Sequence, residues 1–406
     1  MTDLLSLLRA PSANRVYAAQ AGPLALAEAR WVLGAHHGPS LAVRPEEVAG
    51  IEHLRISSRD PEERIGPQST LPALAAQLSS AFAAFAPVDL EGEELLRPAR
   101  LPDVHHHASA LETTLRYPGK TNEQFTALLL NLAAALSDRR AGILDGSLAV
   151  LDPICGRGTT LSRALRLGLS PVGADIDSAD VDAYRAFLLT WAKQGRLKHS
   201  SRASRLTVSR RQLGTRFELE LAKDKAAQRA GRAQRLTLLG CDTTELGSVL
   251  PSGSVDAIVA DLPYGVQHGA RSEARWSRSP LDLLGAAAPV WRSLLRAGGG
   301  MALAVNRHTA PFASARAVLA EHGFTVLSRD GEFRHRVDQS IDRDVILAVR
   351  SDHPRMAALQ ELADSISSSP LEPAASRPGD PSPTTTAASA PSAPLAAAPD
   401  ERTPDV

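Results

Sequence analysis

From Ala149 onward, short apolar runs alternate with helix-length stretches, and this alternation constrains the fold more than any other feature of the chain. The runs are Ala149–Ile154, Pro171–Ala174, Leu236–Leu239, Val255–Ala260, Met301–Val305, Phe324–Leu327 and Val345–Val349. Leu161–Leu167, Val181–Ala192, Leu281–Leu295 and Ala313–His322 separate most of them. Strands that are apolar throughout are buried on both faces, which places helices above and below a mainly parallel sheet. The pattern predicts an α/β, Rossmann-like, doubly wound sheet of seven strands, the last two close enough to pair antiparallel.

The rest of the chain divides around this unit. Residues 1–100 read as a small α/β domain, with helical spacing over Leu24–Leu33, a strand over Ile51–Ile56 and an Ala-rich helix over Leu71–Phe85. Residues 101–352 form the main domain, in which Phe125–Leu136 predicts an amphipathic helix. Residues 353–406 are a tail rich in Pro, Ala, Ser and Thr, with too little apolar surface to offset ordering entropy, and are expected to be mostly disordered. Two cysteines, Cys155 and Cys241, make no disulfide framework and favour a reducing cytoplasm. No apolar run reaches the ~18 residues of a membrane helix, and the first residues lack the layout of a signal peptide. His105, His106 and His107 point in different directions on any regular element, and no Cys or carboxylate completes a ligand set. No metal is expected.

The strand ends carry the chemistry. The first runs into Asp152-Pro153-Ile154-Cys155-Gly156-Arg157-Gly158-Thr159-Thr160. Glycines 156 and 158 let the backbone turn sharply and approach a ligand where a Cβ would collide. The next strand closes on Asp175, placed to accept hydrogen bonds from ribose hydroxyls. The third ends at Gly240-Cys241-Asp242, where Asp242 is placed to accept from an adenine amino group. The third glycine of the dinucleotide fingerprint falls at Leu161, which weakens a pyrophosphate reading. A ligand with adenosine and no phosphates fits better, so S-adenosylmethionine is the expected cofactor. Asp152, Cys155, Gly156, Gly158, Thr159, Asp175 and Asp242 are its candidate contacts, with Asp152 near the cationic methionine end.

The fourth strand runs into Asp261-Leu262-Pro263-Tyr264-Gly265. In an open α/β sheet this loop faces the cofactor loop across the switch point. Transfer of a methyl group to an exocyclic amine needs acceptors for the amine hydrogens and a means of holding the base flat. Asp261 and the Leu262 carbonyl are the candidate acceptors, Pro263 stiffens the loop, and Tyr264 is the candidate stacking ring.

Together, Asp152-Pro153-x-Cys155-Gly156-x-Gly158-Thr159 and Asp261-Leu262-Pro263-Tyr264-Gly265 resemble the class I amino-methyltransferases. Over roughly residues 110–350 the chain is similar to the THUMP-associated RNA methylases, which include tRNA guanine-N2 methyltransferases. Their motif is Asp/Asn-Pro-Pro-Tyr/Phe, and Leu262 stands here in place of the first proline. The resemblance implies a methyltransferase acting on guanine N2 in tRNA, with residues 1–100 standing in for an RNA-binding region. A DNA adenine-N6 or cytosine-N4 methyltransferase is the same-class alternative, and a catalytically silent RNA-binding scaffold is the alternative from another class.

Gly119-Lys120-Thr121 suggests a phosphate loop, but Thr114 stands where its first glycine is required and no strand precedes it, which excludes ATP. Lys120 beside the cofactor pocket is then a candidate phosphate contact, against the plainer reading of a turn capped by Thr121 or Asn122. The formal net charge is zero, from 45 basic and 45 acidic residues, yet residues 191–235 hold thirteen basic side chains against three acidic ones. This basic insertion, about 195–235, is longer than the ~2–6 residues usual between such elements and is expected to meet a phosphate backbone through residues such as Arg210 and Arg211.

Overall fold

The computed structural model describes residues 1–12, 14–60, 65–66, 68–264 and 279–368. The first sheet is wholly antiparallel: β1 (Thr2–Arg9), β2 (Leu41–Val48), β3 (Ile51–Ser58), β4 (Ala81–Leu90) and β5 (Glu93–Ala99), in the order β2-β3-β1-β4-β5. One face is covered by helix Arg15–His37, which starts where Asn14 Oδ1 accepts the N–H groups of Val16 and Tyr17 at 3.0 and 3.2 Å. A cap of this kind contributes about 1 kcal/mol. The helix expected over Leu71–Phe85 stops at Gln77, and the remainder becomes the start of β4. The Ser79 N–H and hydroxyl bind the Glu28 carboxylate at 3.0 and 2.5 Å, which diverts the backbone from the helix that its alanines favour.

The second sheet contains β6 (Val150–Asp152), β7 (Val172–Asp175), β8 (Lys198–Val208), β9 (Arg211–Ala222), β10 (Gln234–Gly240), β11 (Val255–Asp261), β12 (Leu295–Asn306), β13 (Phe324–Val326), β14 (His335–Arg336) and β15 (Asp342–Arg350). Their order is β13-β15-β12-β11-β6-β7-β10-β9-β8, with β14 paired to β15. All seven expected strands are present; β6, β7, β10, β11 and β12 run parallel, and β15 is antiparallel to both β12 and β13. Ten strands rather than seven arise because the basic insertion folds back as the β8–β9 hairpin and β14 adds a two-residue pairing. The order reverses at β6, between β7 and β11. That switch point gathers the carboxyl ends of β6, β7, β10 and β11 at one edge.

Helix Glu123–Leu136 is buried on every side from Phe125 to Leu136, and so is not the amphipathic helix its sequence suggested. It lies between β11 and β12 on one side and helix Arg15–His37 on the other, and an all-round apolar surface suits a helix in that position. Its polar residue Asn131 donates to Glu28 Oε1 and to the Gln77 carbonyl, both at 2.7 Å. Burial raises the Glu28 carboxyl pKa above the usual range. Leu24, Leu33, Leu129, Leu132, Ala302 and Leu347 consequently share one core, and residues 1–369 form one compact unit. Residue 100 marks a change of sheet rather than of folding unit.

The first part of the segment expected as a tail from residue 353 is ordered. Residues Met356–Ser368 form a helix that buries Leu359, Leu362 and Ile366 against helix Arg15–His37. Residues 369–406, to which the rest of that expectation refers, lie outside the described residues, as does Gly265. Among the described residues no helix is long and apolar enough to cross a membrane.

Candidate active site

At the sheet edge the chain leaves β6 through the glycine loop into helix Thr159–Arg166. Gly156 has φ 49° and Gly158 has φ 73°, a region that strains other residues. Their surroundings differ. A Cβ on Gly156 would meet nothing within 4 Å, whereas one on Gly158 would lie 2.3 Å from the Tyr184 ring. Gly156 therefore leaves room for a ligand, while Gly158 is required by packing inside the protein, a reason that the spacing of the glycines does not reveal.

The Asp175 carboxylate accepts the Gly156 N–H at 2.7 Å and the Asp177 N–H at 2.9 Å, so β7 holds the glycine loop in place. Burial raises its pKa to about 6 despite these bonds. Asp152 accepts the Ile154 N–H at 3.2 Å and is pushed up to about 7, by burial first and then by the negative charges of Asp175 and Asp261. Asp242 Oδ1 accepts the Thr244 N–H at 2.9 Å and its hydroxyl at 2.8 Å. Cys155 is buried, its thiol pKa raised by burial, and its N–H bonds the Ala174 carbonyl at 2.8 Å. Thr159 meets the Tyr117 hydroxyl at 3.0 Å.

A cavity of about 800 Å³ opens along this edge. Asp175, Asp242, Asp261 and Pro263 line it together, with Pro153 and Ile154 from the glycine loop. Asp152, Cys155, Gly156, Gly158 and Thr159 are not in its wall and belong to the loop and strand end beside it. Ile176 also lines it and is 38% exposed, an apolar surface next to Asp175. Arg211 lines the cavity, as do Gln212, Leu213, Gly214 and Thr215 of β9. The sequence had suggested only a phosphate contact for Arg211. Arg210 is exposed at the hairpin turn with φ 67°.

At the other end Asp261 Oδ2 accepts the Thr121 hydroxyl at 2.8 Å, and Oδ1 accepts the Tyr264 hydroxyl. The Leu262 side chain is buried and its N–H bonds the Ala304 carbonyl at 3.0 Å. Arg343 on β15 lies between two rings, 4.8 Å from Tyr264 and 4.9 Å from Phe125, with Nη2 3.8 Å from Asp261. Burial and the Asp261 charge hold the Tyr264 phenol neutral, with its pKa well above the usual value. Tyr264, expected to stack on a base, is here bonded to Asp261 and covered by Arg343.

Lys120 is not free for a phosphate: Nζ donates to Glu123 Oε1 at 2.5 Å and to the Glu112 carbonyl. Asn122, not Thr121, caps the following helix, which leaves the Thr121 hydroxyl for Asp261. Sequence reasoning missed Thr121 as a partner of Asp261, Arg343, Ile176 and the cavity-lining stretch of β9. For Thr121 the signal was its place directly before the cap. Arg343 lies 82 residues beyond Asp261 and has no local signal. Among the described residues no group of three His, Cys, Asp or Glu side chains is placed to hold a metal ion.

Residues 119–277 match the UPF0020 family, described as RMKL-like, methyltransferase domain. This segment is a methyltransferase domain, and S-adenosylmethionine is its cofactor. Comparison with curated proteins found no match. Similar solved structures include TrmN from Thermus thermophilus, at 16% identity and TM-score 0.38, covering 85% of this chain and 99% of that one. A putative RNA methyltransferase, PH1948 from Pyrococcus horikoshii, is similar at 15% identity and TM-score 0.32, covering 61% and 89%. SMU.1697c, a putative methyltransferase from Streptococcus mutans solved with SAH, is similar at 11% identity and TM-score 0.30, covering 54% and 93%.

Proposed function

We propose that this protein methylates an exocyclic amine of a nucleic-acid base, with guanine N2 in tRNA the favoured acceptor and the cytoplasm its location. The observation that carries this reading is the single cavity that has Asp175 and Asp242 in its wall together with Asp261 and Pro263.

The residues present fit the cofactor. Ile176 offers an apolar face to a flat ring, the Asp175 and Asp242 carboxylates offer acceptors to hydroxyl and amino groups, and the open space at Gly156 admits a chain close to backbone. Asp152, Asp175 and Asp261 lie near enough for the last two to raise the pKa of the first. That concentration of negative charge favours a cationic ligand end. When bound, S-adenosylmethionine supplies an electrophilic methyl group on a sulfonium.

The chain's own contribution is positioning and proton control. Asp261 accepts an N–H of the incoming amine at Oδ1 in place of the Tyr264 hydroxyl, while Thr121 keeps Oδ2 oriented. The Leu262 carbonyl takes the second N–H, which aligns the nitrogen lone pair for in-line attack. Tyr264, once released from Asp261, is free to stack on the base. A guanine amine is a poor nucleophile until it sheds a proton, and Asp261 is the group in reach to steer it.

The test is transfer of tritiated methyl from labelled S-adenosylmethionine to total tRNA and to genomic DNA, followed by mass spectrometry of the labelled nucleoside. Label in tRNA as N2-methylguanosine supports the proposal. Label in DNA would transfer the reading to adenine N6 or cytosine N4, and label in neither would make the protein a silent scaffold.

A further inference from the structure

The β8–β9 hairpin has a role that its charge does not suggest. Val208 and Arg211 pair across a two-residue turn at Ser209 and Arg210, whose φ values of 47° and 67° match the right-handed twist of the strands. From there β9 first meets β10 at Thr215, which pairs with Gly240, the last residue of β10 before Cys241 and Asp242, so Arg211–Gly214 extend past the end of β10. The approach is close: a Cβ on Gly214 would lie 1.7 Å from the Gly240 carbonyl oxygen, so only glycine lets the hairpin backbone sit there. Five consecutive residues, Arg211 to Thr215, line the same cavity as Asp175 and Asp242. Arg211 Nη2 donates to Glu245 Oε1 at 2.6 Å, and Glu245 also lines the cavity.

We infer that the hairpin is a wall of the cofactor site and that the Arg211–Glu245 ion pair is the clasp that retains the nucleoside end of the cofactor. This rests on reading the cavity as the S-adenosylmethionine site. The backbone of residues 212–215 bounds the end of the cavity near Asp242, and the ion pair joins hairpin to the turn Thr243–Ser248, so leaving on that side requires the pair to part. The Arg211 and Glu245 side chains are 66% and 33% exposed. Such a pair is weak and screened by salt, which suits a group that must release product each turnover. A phosphate-binding role for Arg211 makes a different prediction, since Glu245 would then oppose the ligand instead of helping to hold one.

The experiment measures S-adenosylhomocysteine affinity by calorimetry and its dissociation rate by stopped flow, in the full chain, for wild type, Arg211→Ala, Glu245→Gln and the swapped pair Arg211→Glu with Glu245→Arg. Both single variants are expected to speed dissociation by roughly two- to fivefold, the range of an exposed ion pair. The swapped pair is expected to recover at least half of that loss, and the difference is expected to vanish near 1 M salt. Unchanged dissociation in both single variants, or a swapped pair that dissociates no more slowly than the singles, would overturn the clasp while leaving the cofactor site in place. Wild type that binds no S-adenosylhomocysteine would overturn the site reading and the clasp with it.

Discussion

At the cofactor end of the cavity, Asp175 is held by the backbone N–H groups of Gly156 and Asp177, and Asp242 by the N–H and hydroxyl of Thr244. At the acceptor end, Asp261 is held, among the described residues, by side chains: the hydroxyls of Thr121 and Tyr264, with Arg343 over the Tyr264 ring. Backbone donors move only when a strand or loop moves, whereas a tyrosine side chain turns about two bonds. One end is therefore held by backbone, and the other by side chains free to turn. The contrast suits the proposed tasks: a cofactor end that binds the same molecule every cycle, and an acceptor end that takes a base in place of the Tyr264 hydroxyl.

Replacing Asp261 separates the two ends most sharply. Asp261→Ala is expected to cut methyl transfer by at least about a hundredfold, the scale of lost proton-transfer and positioning groups, while calorimetry finds S-adenosylhomocysteine affinity within about twofold of wild type. A variant that keeps its turnover and loses cofactor affinity would put Asp261 at the wrong end. Asp175→Asn makes the converse change: the lost charge-assisted bonds, about 1.5–3 kcal/mol, predict cofactor binding weaker by roughly 10- to 100-fold, with turnover at saturating cofactor largely retained.

Arg343→Lys keeps the charge but loses the planar group that stacks on both rings. About a tenfold fall in kcat is expected, with cofactor affinity unchanged; equal falls in kcat and affinity would argue that Arg343 only maintains the fold. For pH, the direction follows from the raised values of Asp152 and Asp175, about 7 and about 6. A cationic ligand favours the ionised carboxylates, so binding expels protons and affinity rises with pH until both are ionised. Isothermal titrations are expected to show cofactor affinity roughly tenfold lower at pH 5.5 than at pH 8, with a plateau only above about 8. A flat profile would mean that the bound cofactor does not sense the charge of these carboxylates. The smallest effect is expected at the outer strand. Gln in place of Lys198, Arg202 or Arg205, all exposed on β8, should each lower tRNA affinity a few-fold and reduce the salt slope by about 0.7–0.9 for each phosphate no longer neutralised, with no change in cofactor binding. Shortening residues 196–232 instead would remove Phe217, Leu219 and Leu221 from the core along with the cavity wall, and would not isolate charge.

What the sequence revealed follows the same physics. Buried parallel strands are apolar at every position, so β6, β10, β11 and β12 stood out as runs, and their acidic ends marked the switch-point edge. The β8–β9 hairpin did not. Residues 198–205 of β8 are all exposed, and a strand with no buried face shows none of the apolar alternation by which strands are recognised. Basic residues in that segment were legible as charge, but the cavity-lining residues Gln212 to Thr215 carry little chemistry of their own and act through where their backbone lies. At the acceptor end, Asp261 and Tyr264 were legible because they follow a strand directly. The Arg343 cover depends on a strand near the far end of the sheet, which no local pattern announces.

The buried helix Glu123–Leu136 has a consequence for how this protein can be divided. One of its sides is covered by the methyltransferase sheet and another by helix Arg15–His37, and Asn131 has its amide pinned to Glu28 and Gln77. Thr121, two residues ahead of that helix, is the group that orients Asp261. A chain begun at residue 101 would leave a leucine-lined flank of this helix bare and the Asn131 amide without these partners. The first hundred residues are thus no detachable appendage: they share a core with the helix behind the candidate acceptor acid, and a piece of this protein that lacks them is expected to lose its fold along with any activity.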